Sequence, residues 1–278
     1  MSQALTNFAE LGLDHFSPSQ LNKPLAVWMF QYVALNKEDR RQIKVGYPAI
    51  YGTAVHNGTQ HYLCDGLVLE DAVDMALTSY DLQQVKDTDE ERNTAYRDKI
   101  QPAIEQGIEA LGDTFENAES ERHVSLELPD VVLPIIGYVD FIKDNLLCEF
   151  KTKIGRMNQP KKDGTRSLGK AQIPDEPQQA HVEQVAIYSK ATGAIPSIAY
   201  VSHDRAVRFD PFNCQALRAD NIDRAIERVR QKALKRQNLI AYSNDPIVLG
   251  GILEADFSHP FYWDDPDNIE YAKEIFKV

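Results

Sequence analysis

Two carboxylates and a lysine stand within otherwise apolar strands in the segment 137–153, which reads GYVDFIKDNLLCEFKTK. Because side chains alternate between the two faces of a strand, Asp140 points away from its apolar neighbours, and Glu149 shares a face with Lys151. The polar letters KDN between the two apolar runs are typical of a turn. A hairpin would therefore bring Asp140 beside Glu149 and Lys151.

This group of charges indicates a metal site. Carboxylates and an ammonium are costly to hold among apolar residues unless something compensates them. A divalent cation does so, and hard ions such as Mg²⁺ take oxygen ligands while keeping several waters. We expect Asp140, Glu149 and the backbone carbonyl of Phe150 to be ligands, with Lys151 orienting or helping to deprotonate a metal-bound water.

The same pattern has two purely structural interpretations. One is a buried ion pair that joins Lys151 to Glu149 or Asp140, and the other is an edge strand whose polar face lies in water. Spacing alone leaves all three interpretations open.

The surrounding elements decide whether these side chains can meet. A helix is expected to begin at SPSQ, residues 17–20, and to continue to Tyr32, and a second helix follows Pro48 and carries His56. Residues 68–120 favour two or three polar helices. Strands are predicted over 123–128, 135–142, 146–152 and 197–202, and further helices over 176–190 and 215–236.

This order of elements predicts an α/β fold, with a central mixed β-sheet flanked by helices. The chain has 278 residues, of which 43% are hydrophobic, enough to bury a sizeable core. We expect a single domain over residues 1–278 with a helical insertion at about 68–120.

Composition excludes several classes of function. A net charge of −12 argues against a protein that coats nucleic acid non-specifically, because phosphate contacts come from Lys and Arg. The sequence has neither a run of about 20 apolar residues nor the pattern of a signal peptide. We therefore expect a cytoplasmic protein with no membrane partner.

Five short motifs together resemble the PD-(D/E)XK nuclease superfamily. Gly-x-x-Asp at 137–140 followed by Glu-x-Lys at 149–151 resembles its core motif, specifically in the RecB-like branch, which includes phage exonucleases and CRISPR-associated nucleases. The other three occur in the order of the family and are SPSQL at 17–21, GTAVH at 52–56 and QVAIY at 184–188. The resemblance covers residues 17 to about 203.

The resemblance implies a restriction-endonuclease-like core and a Mg²⁺- or Mn²⁺-dependent deoxyribonuclease. Such an enzyme hydrolyses phosphodiester bonds to 5′-phosphate and 3′-hydroxyl products, and an exonuclease of DNA processing, repair or recombination is the expected form. DNA is then the substrate, and a recombination or annealing protein is a candidate partner, with the oligomeric state left open. The alternatives are a catalytically silent DNA-binding or assembly subunit with the same fold, and a small-molecule α/β protein with a fortuitous hairpin.

The resemblance also implies roles for individual residues. His56 joins Asp140 and Glu149 in binding one or two metal ions, and Lys151 positions the attacking water. Two residues of the QVAIY motif, Gln184 and Tyr188, are implied to orient Lys151 or the DNA.

Some relatives hold an iron–sulfur cluster on one upstream cysteine and three near the C-terminus. This chain has only Cys64, Cys148 and Cys214, and Lys23 precedes Pro24 in the first helix. Because four thiolates are not available, we expect no iron–sulfur cluster.

A basic segment follows the core motif directly. Residues 151–170 contain seven Lys and Arg against one Asp, and their turn-forming composition predicts a mobile exposed loop. We expect the phosphate contacts of DNA at Lys153, Lys161, Lys162 and Arg166, although a solvated loop has the same composition.

Overall fold

The computed structural model describes residues 2–41, 46–83, 89–258, 262–263 and 265–278, with the side chains of 40 and 41 left aside. The chain has a five-stranded mixed sheet flanked by helices, so the predicted α/β fold is confirmed. Within the described ranges, no helix is long and apolar enough to cross a membrane.

The strands and helices have the following bounds in chain order. The strands are β1 (Glu119–Leu126), β2 (Ile135–Lys143), β3 (Leu146–Thr152), β4 (Ile195–Val201) and β5 (Ala206–Phe209). The helices are α1 (Gln3–Glu10), α2 (Pro18–Leu21), α3 (Leu25–Met29), α4 (Lys37–Arg41), α5 (Tyr47–Leu63), α6 (Leu69–Leu82), α7 (Glu90–Arg97), α8 (Ile100–Leu111), α9 (Gln179–Thr192), α10 (Ala219–Tyr242), α11 (Pro246–Gly250) and α12 (Pro266–Phe276).

The chain divides into two compact units, each made from separate stretches of sequence. Unit 1 comprises Met1–Ile43, Ser125–Gly137 and Arg224–Val278, and unit 2 comprises Lys44–Val124 and Tyr138–Asp223. The residues with candidate chemistry named above all belong to unit 2.

In unit 1 the N-terminal helix predicted from residue 17 to Tyr32 is broken, and that prediction is wrong in its continuity. Ser17 caps α2 by accepting a hydrogen bond from Gln20 N at 3.3 Å, but α2 ends at Leu21 and α3 starts after Pro24. Proline lacks an N–H and disfavours helical geometry at the residue before it, so the helix restarts there.

Within unit 1, the side chain of Arg236 in α10 binds to the chain at this break between α2 and α3. Its Nη2 donates to the carbonyl oxygens of Gln20, Leu21 and Lys23, and its guanidinium lies 5.4 Å from the ring centroid of Trp28. Burial lowers the pKa of Arg236 to about 10. The carbonyls left free at the end of α2 thus receive a charged donor.

The N- and C-terminal parts of the sequence meet inside unit 1. Asn7 of α1 donates its Nδ2 to the carbonyl oxygen of Ile240 in α10 at 2.6 Å. Phe16 forms a parallel bridge with Ile135 at the start of β2.

The sheet of unit 2 places β3 at its centre, in the order β1-β2-β3-β4-β5. β2 and β3 are antiparallel, with Phe141 opposite Cys148, and Asp144 takes a φ of 52° in the turn between them. β3 and β4 are parallel, and β4 and β5 are antiparallel. The sequence did not predict β5, whose four residues are too few to show a period.

Helices α5 to α8 and the sheet share one hydrophobic core. The buried residues of this core include Ala54 of α5, Ala76 of α6, Ile104 of α8 and Phe150 of β3. The segment 68–120 therefore holds three helices that each bury a face, although its composition suggested polar ones. Gly193, with a φ of 75°, ends α9 where the sequence predicts its end.

Candidate metal centre

Asp140 and Glu149 come from neighbouring strands of the β2–β3 hairpin. The register that pairs Phe141 with Cys148 places Asp140 beside Glu149. Asp140 Oδ2 accepts a hydrogen bond from Phe150 N at 2.6 Å, which fixes the carboxylate against β3. The alternation of the sequence thus brings the two carboxylates together on one face of the sheet.

Glu149 and Lys151 form an ion pair at this position. Lys151 Nζ lies 2.5 Å from Glu149 Oε1, and Glu149 is only 1% exposed. The edge-strand interpretation is therefore wrong, since β3 is central and its carboxylate is buried. The ion-pair interpretation is correct for one oxygen, but Glu149 Oε2 is buried and has no hydrogen-bond partner.

His56 reaches the carboxylates from α5. Its Nε2 lies 4.0 Å from Asp140 Oδ1, and its ring stacks on Phe150 with the centroids 5.8 Å apart. The helix can approach closely because Gly52, one turn earlier, has no side chain: a Cβ there would lie 2.7 Å from Thr152 Oγ1. His56 Nε2 is buried and has no hydrogen-bond partner.

A third carboxylate, Glu121 of β1, completes the group and was missed from the sequence. Its Oε1 lies 3.8 Å from His56 Nε2. The sequence predicted β1 from His123, so Glu121 lay outside the strand, and its backbone φ of 50° is rare for glutamate. Glu127, just beyond the end of β1, is exposed.

The three side chains fit a divalent ion. One ligand atom from each of His56, Glu121 and Asp140 lies within 4.8 Å of the others. Ligand atoms that each lie about 2.1 Å from a shared ion are at most about 4.2 Å apart. Small side-chain rotations would bring the three ligand atoms within that distance of one another. The group differs from the predicted set, because Glu121 takes part while Glu149 is engaged with Lys151. Carboxylate oxygens suit Mg²⁺ and Mn²⁺, and the imidazole favours Mn²⁺ of the two.

Burial shifts the pKa of Asp140, Glu149 and His56 at this centre. It raises the pKa of Asp140 to about 6, against the charge of Lys151 and the Phe150 N–H. It also raises the pKa of Glu149 to about 7, helped by the negative charge of Asp140. Burial lowers the pKa of His56. These pKa shifts favour the neutral forms of Asp140, Glu149 and His56. A bound cation would lower the pKa values of the two carboxyl groups and favour their ionised forms.

Lys151 remains an ammonium despite its surroundings. Burial alone lowers its pKa, but the carboxylates of Glu149 and Asp140 together outweigh burial, and the net pKa is raised. At neutral pH the side chain is therefore a hydrogen-bond donor and a positive charge.

Helix α9 carries the two further residues implied by the resemblance. Gln184 Nε2 donates to Tyr188 Oη at 3.0 Å. Burial raises the pKa of the Tyr188 hydroxyl, and the charges of Glu149 and Asp140 raise it further, while the hydrogen bond from Gln184 opposes the shift. Tyr188 thus lies near the carboxylates, with Gln184 hydrogen-bonded to its hydroxyl.

The structure adds His181 and Tyr200 on the other side of Lys151. His181 Nδ1 lies 2.7 Å from Tyr200 Oη. Burial, together with the charges of Lys151 and Lys153, lowers the pKa of His181 to about 3. This pair was not found from the sequence, because parallel pairing of β3 with β4 is what places Tyr200 opposite Lys151.

The four predicted phosphate-binding residues have different environments. Lys161 and Lys162 are exposed in a loop closed by hydrogen bonds from Lys161 N to Thr165 O and from Asn158 N to Ser167 O. Lys153 Nζ lies 5.4 Å from the ring centroid of Tyr200, and burial lowers its pKa.

Arg166 is ion-paired in a way that the sequence did not indicate. Its Nη1 lies 2.7 Å from Asp89 Oδ2, and its backbone N–H donates to Glu91 Oε1 at 2.8 Å. The basic loop is thereby attached to the N-terminus of α7. Lys161 and Lys162 are therefore better placed than Arg166 to meet a phosphate.

The cysteines are all free thiols. Cys148 and Cys214 are buried and Cys64 is half-buried. Burial raises the pKa of Cys148 to about 12 and that of Cys64 to about 11. These two thiols are therefore protonated and unreactive at neutral pH.

Comparison with known proteins adds little to this description. No family model and no curated protein matches the chain. A crystal structure of SSO0001 aligns with 60% of this chain and 87% of that chain, at 18% identity and a TM-score of 0.28. A TM-score this low carries no argument, so the functional case rests on the residues of the chain itself.

Proposed function

We propose that this chain is a metal-dependent nuclease that hydrolyses phosphodiester bonds in DNA. The observation that carries the proposal is the convergence of His56, Glu121 and Asp140 within 4.8 Å, beside the pair of Glu149 and Lys151. An imidazole and carboxylates with an adjacent ammonium are the groups that metal-assisted hydrolysis of phosphate esters requires. The order of the five motifs along the sequence supports the same conclusion.

The roles of the residues follow from their surroundings. A divalent ion bound here would polarise the phosphate and lower the pKa of the attacking water. His56, Glu121 and Asp140 would hold the ion, and Glu149 offers the unpartnered Oε2 as a further ligand. The Lys151 ammonium would donate hydrogen bonds to the attacking water or to the phosphate, stabilising the charge that develops there.

The finer parts of the proposal come from the resemblance. We expect an exonuclease that leaves 5′-phosphate and 3′-hydroxyl ends and acts in DNA processing, repair or recombination. We place it in the cytoplasm, with a recombination or annealing protein as a candidate partner.

The proposal is tested by incubating the purified protein with DNA labelled separately at each end, in linear, nicked and circular forms. Mg²⁺ or Mn²⁺ should support cleavage and EDTA should abolish it. Asp140→Asn and Lys151→Ala should each lower the rate by about 100-fold or more. Asp144→Asn is the matched control, because it changes a carboxylate in the turn of the same hairpin and should cleave at the wild-type rate.

The outcomes separate the candidate functions. Protein that binds DNA without cleaving it in any metal would be the catalytically silent subunit. Protein that neither binds nor cleaves DNA would contradict both, and would favour the small-molecule alternative.

A further inference from the structure

Tyr138 exposes a large aromatic ring from the middle of β2. It is 53% exposed, although Gly137 and Val139 on either side are buried. The ring contacts the exposed His123 of β1 edge-on, with the centroids 5.4 Å apart and the planes at 68°. Two rings of neighbouring strands thus form one aromatic surface in unit 2, which we call the Tyr138–His123 pair.

This pair adjoins the candidate metal centre. Tyr138 and Asp140 are two residues apart on one strand, so they share a face of the sheet at a separation of about 7 Å. His123 lies two residues beyond Glu121 on β1. A separation of this size corresponds to about one nucleotide of an extended strand.

The Tyr138 backbone lies near the hydroxyl of the buried Tyr188 of α9. The same hydroxyl is close enough to Asp140 and Glu149 for their charges to raise its pKa. The ring therefore projects from a stretch of β2 that lies near the same buried hydroxyl as the carboxylates.

The charge of the protein makes an aromatic contact useful. The chain carries a net charge of −12, and Glu121 adds an exposed carboxylate close to His123. Stacking of a base on an aromatic ring provides affinity without a positive charge and tolerates any sequence.

We propose that the Tyr138–His123 pair stacks an unpaired base of DNA about one nucleotide from the phosphate that is cleaved. The inference rests on the proposed nuclease function and adds to it a substrate with a single-stranded or frayed stretch at the site. A base inside a duplex is already stacked on both faces, so it does not present a face to the ring until it leaves the helix.

The test measures binding in EDTA, where hydrolysis does not occur. Single-stranded 12-mers carrying 2-aminopurine at each position in turn report stacking as quenched fluorescence. We expect quenching centred on one position in the wild type and in Tyr138→Phe, and none in Tyr138→Ala. Affinity for the single strand should fall about tenfold in Tyr138→Ala, and affinity for a blunt duplex by less than about twofold.

The matched control is Phe212→Ala, which removes an aromatic ring that is 88% exposed in the turn after β5. It should bind and quench as the wild type does. Thermal unfolding of each variant shows whether it is folded, and Tyr138→Phe separates the ring from the hydroxyl.

The remaining outcomes contradict either the stacking role of the Tyr138–His123 pair or the proposed nuclease function. Unchanged quenching and affinity in Tyr138→Ala, with cleavage intact in the wild type, would overturn the stacking role alone. A change in sedimentation of Tyr138→Ala would show that the pair is a contact between two copies of the chain, which also overturns it. Wild-type protein that binds no DNA in EDTA and cleaves none in Mg²⁺ would overturn the proposed function.

Discussion

The carboxylate of Glu149 has two oxygens in different situations. Oε1 is paired with Lys151 and Oε2 is buried without a partner. A buried acceptor without a hydrogen bond typically costs about 1–3 kcal/mol. His56 Nε2 is also buried without a partner. A cation held by His56, Glu121 and Asp140 would give that nitrogen a partner, which is a physical reason to expect the ion.

Glu121 provides the sharpest test of the metal site at the level of single residues. Glu121→Gln should weaken Mn²⁺ binding by about tenfold, because an amide oxygen replaces a charged ligand while the size is kept. Glu127→Gln is the control, since Glu127 is exposed and lies outside the cluster. Isothermal titration with Mn²⁺ measures both. Equal affinities in the two variants would show that Glu121 is not a ligand.

A variant of Lys151 distinguishes a role in positioning the attacking water from a role in binding the metal ion. Lys151→Ala should abolish most cleavage and leave the affinity for Mn²⁺ unchanged or slightly raised, because a cation is lost and no ligand is removed. Cleavage rates and a Mn²⁺ titration of the same preparation test this. Loss of metal binding in Lys151→Ala would contradict the role assigned here.

At the level of elements, the approach of α5 to β3 depends on Gly52. Gly52→Ala should destabilise the protein by about 1–3 kcal/mol, because the added Cβ would meet Thr152 Oγ1 at 2.7 Å. The steric cost of the close contact exceeds the gain in helix propensity on replacing glycine by alanine, which is about 1 kcal/mol. Denaturant unfolding measures the difference.

A double-mutant cycle checks the cause of that effect. Combining Gly52→Ala with Thr152→Ala removes the obstructing hydroxyl, so the second change should recover most of the lost stability. Additive losses would mean that Thr152 is not what Gly52 avoids.

The basic loop gives a second prediction at this level. Replacing Lys161 and Lys162 together by Gln should flatten the dependence of log K on log salt for DNA by about 1.4 to 1.8, at about 0.7–0.9 per contact. Arg166→Gln should leave that slope unchanged, since Arg166 is paired with Asp89. Fluorescence anisotropy at several salt concentrations compares the variants. An unaltered slope in the lysine variant would leave the loop without a role in binding.

The sequence predicted elements whose signal is local and missed contacts that depend on distant residues. The alternation in 137–153 was enough to predict the β2–β3 hairpin and the common face of its charges. By contrast, the contact of Arg166 with Asp89 joins residues far apart in sequence. The break of the first helix was readable at Pro24, yet Arg236, which satisfies the carbonyls there, lies more than 200 residues away.

The centre itself was predicted in part. His56 and Asp140 do approach each other, but Glu121 was missed, because a strand residue with positive φ follows no alternation rule. Tyr200 and His181 depend on the parallel pairing of β3 with β4, which no local pattern reveals. Tertiary pairing, and not residue preference, is what the sequence left undetermined.

At the scale of the whole molecule, the buried carboxylates make stability depend on pH. The folded pKa of Asp140 is raised to about 6, so the folded state binds the proton more tightly than the unfolded chain does. The contribution of Asp140 is fully present below about pH 4 and is lost as the pH rises through about 6. Its ionised form therefore destabilises the metal-free protein at neutral pH.

Asp140→Asn should accordingly stabilise the metal-free protein at pH 8, by an amount on the order of 2 kcal/mol, and have little effect at pH 4. Urea unfolding in EDTA at the two pH values measures this. Adding Mg²⁺ at pH 8 should stabilise the wild type more than the variant, because the ion favours the ionised carboxylate. The same difference between the two proteins at both pH values would contradict the assigned pKa.

The division of the sequence between the two units has a consequence for synthesis on the ribosome. Every residue of unit 2 precedes Arg224, whereas unit 1 needs the stretch Arg224–Val278 to complete a core begun by α1. The nascent N-terminal helices must therefore wait for Ile240, the partner of Asn7, for roughly 10 to 50 s at about 5–20 residues per second. Until α10 has been made, these helices lack that part of the core of unit 1, and their apolar faces are open to chaperones.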